Sequence, residues 1–430
     1  MSAAPQPFTE PRMAPDNAPA RNVLLITLVP PYPATDGHKI HLWTLVRALC
    51  AEGWSITLVS LTDNADPEIP EALRYLCRTV EFIHWKPNTY ALRDYRQRLA
   101  ALFSPEPFQA RQTSQPELAA AVLRHLQREE FAAVICDEIY TLPSLPPGLA
   151  VPVIVDTQHV AHELLRRYVE WMPNPLERIY VRMEAGKMRR WEARQGRKAF
   201  ALGAASEREA ALFRQMCPGT RVAPLPNVVD VAQYEPSADR EQEDIVLFAG
   251  NIDWFPNRDG VEFFVNGILP ELHRLRPRAT FRVAGPCHSA DLIERITANP
   301  RVEMTGFVED MRQEMARATV CAIPLRIASG TRLKILESAA MAKAMVSTSV
   351  GAEGLDFTPG AEIVLADEPQ SFARALADLL DDAERRHAMG ERARKRVEQN
   401  YSLAALRRAL NAVLDPLARP RSMAARGGAS

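Results

Sequence analysis

The chain has 430 residues, 47% of them hydrophobic and 24% charged, with a formal net charge of -1. This content can build large cores and excludes disorder as the main state, and the near-neutral balance excludes a nucleic-acid binder that depends on a global positive field. Length predicts roughly two to three domains.

Six cysteines occur without a Cys-x-x-Cys pair, so no zinc ribbon or thioredoxin motif is written. They read as reduced thiols of a cytosolic protein. No apolar run approaches the ~20 residues that span a bilayer. Residues 1–20 lack the apolar stretch of a signal peptide and read as a disordered tail, as do residues 419–430.

Residues 22–29 (NVLLITLV) have the near-continuous apolar pattern of a strand buried on both faces. A Pro-rich loop ends at Gly37. Residues 38–52 then place Leu42, Leu45, Val46 and Leu49 on one helical face, with Gly53 at the C′ position. Residues 54–61 (WSITLVSL) are the next strand, which makes a βαβ unit and a parallel sheet. The alternation continues with a helix at 116–130, strands at 132–136 and 153–156, a charged helix at 175–198, a strand at 199–206 and a helix from Glu207. Residues 231–243 are polar, without apolar period, and read as a linker.

The pattern then restarts. Strands are predicted at 244–249, 279–284, 302–305, 319–324 and 345–348. A loop is predicted at 250–257, helices at 260–275 and 331–343, and further helices over most of 369–417. The fold class expected is α/β, with two Rossmann-like, doubly wound parallel-sheet domains facing across a cleft. The first spans 21–230 and the second 244–400, and a helix at 401–418 packs back toward the first. Ligands of open parallel sheets sit at the carboxyl ends of strands, so the cleft is the expected active site.

The most informative segment is 324–343, PLRIASGTRLKILESAAMAK. A helix opening after Gly330 offers unpaired backbone N–H groups and a dipole that favours an anion. Thr331, Lys334 and Glu337 are spaced by three and share a face. Lys334 can neutralise a phosphate. Glu337, about 9 Å further along the axis from Thr331, can accept hydroxyl hydrogen bonds from a ribose diol. A nucleotide diphosphate fits this layout, and a solvated Lys–Glu pair is the alternative reading of the same spacing.

The run Lys334-Ile335-Leu336-Glu337, followed by small residues and then Lys343-Ala344-Met345-Val346, resembles the nucleotide-sugar signature of retaining glycosyltransferases of the GT-B fold, in particular family 4. Residues 347–355 (STSVGAEGL) resemble that family's next loop. The resemblance implies transfer of a sugar from a nucleotide-diphosphate-sugar donor with retention of configuration, and His159, Lys334 and Glu337 as catalytic residues. It further implies donor contacts from Gly37, Gly250, Arg258, Gly285, Phe307, Val308, Ser329, Gly330, Thr331 and Arg332. The acceptor expected is a glycan or a lipid-linked sugar, in cell-surface or extracellular polysaccharide or glycolipid synthesis.

The chain departs from the family at Ser329, where a Glu often contacts the transferred sugar, and at Asn251, which takes the place of a diphosphate-binding Arg. Phosphate charge then falls on Arg258, Arg332 or Lys334. No Asp-x-Asp is present, so no metal is expected, and no cofactor beyond the donor. Two rival readings are a non-catalytic nucleotide-sugar-binding protein with a decayed site and an NAD(P)-dependent oxidoreductase. The second lacks G-x-G-x-x-G in both first turns.

Residues 175–198 also concentrate Arg178, Arg182, Lys187, Arg189, Arg190, Arg194, Arg197 and Lys198. Such a helix can lie on an anionic membrane, or it is a solvated face balanced by Glu177, Glu184 and Glu192. The expected location is cytoplasmic, with peripheral contact at the inner face of the cell membrane under the first of these readings. No nucleic-acid partner is expected.

Overall fold

The computed structural model describes residues 21–85, 104–172, 174–236 and 241–418. The expected tails at 1–20 and 419–430 lie outside the described residues, as does part of the expected linker.

Two parallel sheets organise the chain. The first contains β1 (Asn22–Thr27), β2 (Ser55–Thr62), β3 (Thr79–His84), β4 (Ala133–Asp137), β5 (Val153–Thr157), β6 (Ala201–Ala204) and β7 (Arg221–Pro224), in the order β3-β2-β1-β4-β5-β6-β7. The second contains β8 (Ile245–Ala249), β9 (Thr280–Ala284), β10 (Val302–Gly306), β11 (Val320–Ile323), β12 (Met345–Ser347) and β13 (Val364–Leu365), in the order β10-β9-β8-β11-β12-β13. Both sheets are doubly wound. Strand order reverses between β1 and β4 in one and between β8 and β11 in the other, and such reversals open ligand crevices at the carboxyl ends.

The helices that position the site are α1 (Gly37–Ala51), α2 (Ala161–Trp171), α3 (Pro175–Gly196), α4 (Glu207–Met216), α5 (Phe255–Phe263), α6 (Leu333–Ala340) and α7 (Leu403–Ala418). The Asp36 side chain accepts from the Lys39 N–H at 3.1 Å and fixes the start of α1. Leu42, Leu45, Val46 and Leu49 are fully buried on one face of that helix. The last helix, α7, crosses to the first sheet. Its Leu406, Leu410, Val413 and Leu414 share a core with Leu45, Leu49 and Ile56, and Asn411 donates to Glu52 at 2.7 Å.

Two of the boundaries that differ from expectation bear on the site. The segment read as a loop at 250–257 already begins α5 at Phe255, because Pro256 suits a first helical turn. That helix runs through a π turn at Phe264–Ile268 into Leu269–Leu275. The helix expected from Thr331 opens at Leu333, with Arg332 as its extended N-cap residue.

A candidate donor site between the two lobes

The loop from β11 to α6 crosses the gap between the lobes. Gly330 has φ +77, and a Cβ there would lie 2.2 Å from the Gln158 carbonyl oxygen, so only glycine lets the two backbones approach. The Gly330 N–H donates to Glu209 Oε1 at 3.2 Å, and the Ser329 hydroxyl donates to the Val160 carbonyl at 3.3 Å. Asn227 donates to Thr331 Oγ1 at 2.8 Å. Gly37, at the start of α1, faces Leu333, the first residue of α6. The amino end of α6 therefore opens on the carboxyl edge of the first sheet.

Leu333, Ile335, Leu336, Ala339 and Ala340 bury the inner face of α6 and leave Lys334 and Glu337 half-buried on the outer one. Lys334 Nζ donates to Asn257 Oδ1 at 2.8 Å and lies 4.0 Å from the centre of the Phe248 ring. Burial pushes its ammonium down from 10.5 to about 7, against the pull of Glu337 and with the repulsion of Arg332. Burial likewise raises the Glu337 carboxyl, with Tyr234 and Lys334 pulling the other way. The Tyr234 hydroxyl donates to Glu337 Oε1 at 3.0 Å. Lys334 and Glu337 share a helix face, whereas Thr331 lies upstream of the helix and turns to Asn227.

Gly250 and Gly285 follow β8 and β9, and a Cβ on Gly285 would lie 2.0 Å from the Gly250 carbonyl oxygen. This contact pinches the strand ends beneath Lys334, whose Nζ would be 2.8 Å from a Cβ on Gly250. Asn257 Nδ2 donates to the Asn251 carbonyl at 2.7 Å, so one amide ties the loop after β8 to the lysine. Arg258 stands in the first turn of α5, and its Nε is buried without a partner among the described residues. Phe307 and Val308 sit at the end of the edge strand β10, with Phe307 65% exposed.

Arg332, expected at the phosphate, lies between the two lobes. It is buried, donates to the Glu353 carbonyl, and belongs to a cluster with Glu209, Glu353, Arg167 and Arg208. Burial pushes its guanidinium down to about 10. Arg167 of α2 reaches the Ala328 carbonyl at 2.8 Å and both carboxylate oxygens of Glu353 at 2.5 and 3.0 Å, which ties the lobes together.

Three histidine–carboxylate pairs line the opposing edge of the first sheet. His38 Nε2 meets Asp137 Oδ1 and Oδ2 at 2.9 and 3.0 Å, and His41 Nε2 meets Asp156 Oδ2 at 2.6 Å. His159 Nδ1 meets Glu138 Oε1 at 3.2 Å, and its Cβ lies 3.4 Å from where a Cβ on Gly330 would be. Burial lowers the His159 imidazole, but Glu138 outweighs it and the net shift is upward. Asp137 also accepts from the Leu28 N–H at 3.2 Å and sits in the crevice between β1 and β4.

Residues 243–382 match the family model described as glycosyl transferases, group 1. This stretch is similar to a group 1 glycosyl transferase domain. Over 177 residues, 40% of its length, the chain is 29% identical to a phosphatidylinositol N-acetylglucosaminyltransferase subunit of Arabidopsis thaliana, covering 39% of that protein. Over 41% of the chain it is 25% identical to a GDP-mannose-dependent monoacylated alpha-(1-6)-phosphatidylinositol monomannoside mannosyltransferase of Corynebacterium glutamicum, covering 52% of it. The chain thus matches two fifths to a half of the length of these curated relatives. The structure superposes on sucrose-phosphate synthase from Thermosynechococcus elongatus with a TM-score of 0.73 at 17% identity, covering 92% of this chain and 98% of that one. The two-lobed GT-B fold of the group is the fold of this chain.

Proposed function

We propose that the chain is a retaining, family 4 glycosyltransferase. It moves a sugar from a nucleotide-diphosphate-sugar donor to a glycan or lipid-linked acceptor, in cell-surface polysaccharide or glycolipid synthesis. The observation that carries this reading is the amino end of α6, with Lys334 and Glu337 on one face, opening between the carboxyl edges of both sheets. The donor diphosphate lies at that helix end, with Lys334 and Arg258 as its cations. Glu337, held by Tyr234, takes the ribose, and Phe307 at the end of β10 covers the base. His159, fixed by Glu138, faces the donor sugar.

In the transfer step the bond from the anomeric carbon to the diphosphate oxygen breaks. A bond from the same face of that carbon to the acceptor oxygen forms, and the hydroxyl proton passes to the departing diphosphate. Lys334 and the α6 amides stabilise the developing charge in a site with little water. His38, held by Asp137, adds positive charge on the opposite wall, and Glu138 orients His159 beside it. Work at the inner face of the cell membrane fits a lipid-linked acceptor. Incubation of purified protein with sugar donors and lipid-linked acceptors tests the reading. Transfer with the anomeric configuration of the donor supports it, and inversion contradicts it.

A second reading, binding without transfer, draws on two positions. Ser329 spends its hydroxyl on Val160, and Asn251 Oδ1 accepts from the Asp253 N–H at 2.9 Å within its own loop. Donor binding with neither transfer nor hydrolysis would select it.

A further inference from the structure

We propose that the outer face of α3, with the apolar residues at its start, is a docking surface for an anionic lipid bilayer. The helix follows α2 in a hairpin whose two arms pack along each other. Its inner face is spent on the fold. Glu184 accepts from the Phe108 N–H at 2.8 Å and pairs with Lys187 at 2.9 Å. Glu192 accepts from the Ala161 N–H at 2.8 Å, the His162 N–H at 3.2 Å and the His162 ring at 2.7 Å. Two of the three carboxylates that could balance the basic run are therefore turned inward. Arg178, Arg182, Arg189, Arg190, Arg194, Arg197 and Lys198 remain exposed. Of the acidic groups near them, Glu177 is half-buried at the first turn, and exposed Glu106 lies 3.6 Å from Arg194.

The same face begins with apolar groups that stand exposed among the described residues. Leu176 is 75% exposed and Ile179 65% exposed, and Trp171 at the end of α2 is 43% exposed. Leu176, Ile179, Arg182, Gly186 and Arg190 follow one another at spacings of three and four, so they form one surface row. Apolar insertion and a basic stripe on one helix are the two signals that together hold a protein reversibly on an anionic membrane. With a net charge of -1 for the whole chain, this positive field is local to the face.

The hairpin tip also borders the interlobe gap. The Arg326 guanidinium lies 4.0 Å over the Trp171 ring, and the Tyr168 and Phe255 ring centres are 4.1 Å apart. A bilayer on this face brings a lipid-linked acceptor to the mouth of the gap, a consequence that rests on the transferase reading; the docking itself does not.

Co-sedimentation of the full chain with phosphatidylcholine vesicles, with and without phosphatidylglycerol, tests the surface. Binding is expected only to the anionic vesicles, weakening as salt rises. Arg182→Glu with Arg190→Glu, and separately Leu176→Ser with Ile179→Ser, each lower the bound fraction at least tenfold, on the order expected for losing two such contacts. The thermal midpoint and the donor-induced shift stay as in the unaltered chain, which separates a lost surface from a lost fold or donor site. Equal binding to neutral and anionic vesicles overturns the proposal, as does unchanged binding by both pairs. Self-association through this face with no lipid binding, read by sedimentation velocity, also overturns it, in favour of a second copy.

Discussion

His38 directs Nε2 to both carboxylate oxygens of Asp137, at 2.9 and 3.0 Å, where β1 and β4 part. Asp137 is fully buried, whereas the His38 side chain is 32% exposed toward the gap. Burial alone would lower the imidazole, but Asp137 and Glu138 overcome it and carry it from 6.5 up to about 9. The folded value lies above the unfolded one, so the pair's stabilisation is complete below pH 6.5 and is lost as pH rises to about 9. Wild-type stability is expected to fall across this window more steeply than that of His38→Gln, measured by denaturant titration at a series of pH values. His38→Gln at pH 6.5 costs about 2 kcal/mol, because it weakens the pairing of a buried carboxylate. Parallel pH profiles for the two proteins contradict the assignment.

Lys334 is poised in the opposite sense. Its folded value of about 7 lies below its ordinary 10.5, so its charge subtracts stability, increasingly as pH falls from 10.5 to about 7. A bound diphosphate restores the charge, and donor binding at pH 8 should therefore take up close to one proton. Calorimetric titration in buffers of different ionisation enthalpy reads this directly. Lys334→Met is expected to lose the uptake and the binding while keeping or gaining about 1 kcal/mol of stability, the mark of a residue kept for function.

The interlobe contact at Gly330 has no room for a side chain. Gly330→Ala places a methyl 2.2 Å from the Gln158 carbonyl oxygen at φ +77. We expect a stability loss of about 2 kcal/mol and a larger radius of gyration by small-angle scattering as the lobes part. A wild-type scattering curve with full donor binding would show that this approach is dispensable.

The last helix belongs energetically to the first lobe. Leu410 is 3% exposed in the core that also holds Leu45 and Ile56. Leu410→Ala should cost about 3 kcal/mol and preferentially lower the protection of amides in α1 during hydrogen exchange. Equal loss of protection in the second lobe would argue against this placement.

The alternation of apolar runs and amphipathic helices made the two parallel sheets legible, because strands covered on both faces carry a continuous apolar signature. The edge strand β3 escaped notice because TVEFIH is only partly buried and mixes polar with apolar residues. The helix α2 was hidden by its charges, since Arg166, Arg167 and Glu163 read as solvent-facing until the lobes are brought together. Lys334 and Glu337 were singled out by the resemblance of the run around them, since their spacing alone also fits a solvated pair. Their partners Asn257 and Tyr234 were not, since they arrive from 77 and 103 residues away. The histidine pairs left a fainter signal: β4 ends in Asp137 and the β5 run reaches Asp156, each a carboxylate closing an apolar strand. Which histidine each would meet depends on the strand order, and a single chain read in sequence does not supply it. The surroundings of Arg332 were not readable either, because its side chain is buried between the lobes and donates to the Glu353 carbonyl, a contact that the motif does not announce.

The grip of α6 on a sugar donor is tested most directly by thermal denaturation with nucleotide-diphosphate sugars. The unaltered chain should gain about 3 kcal/mol at a hundredfold excess of donor over Kd. Lys334→Ala and Glu337→Ala should each abolish the gain while melting normally without donor. A gain of the same size in both variants would place the donor elsewhere and contradict this grip.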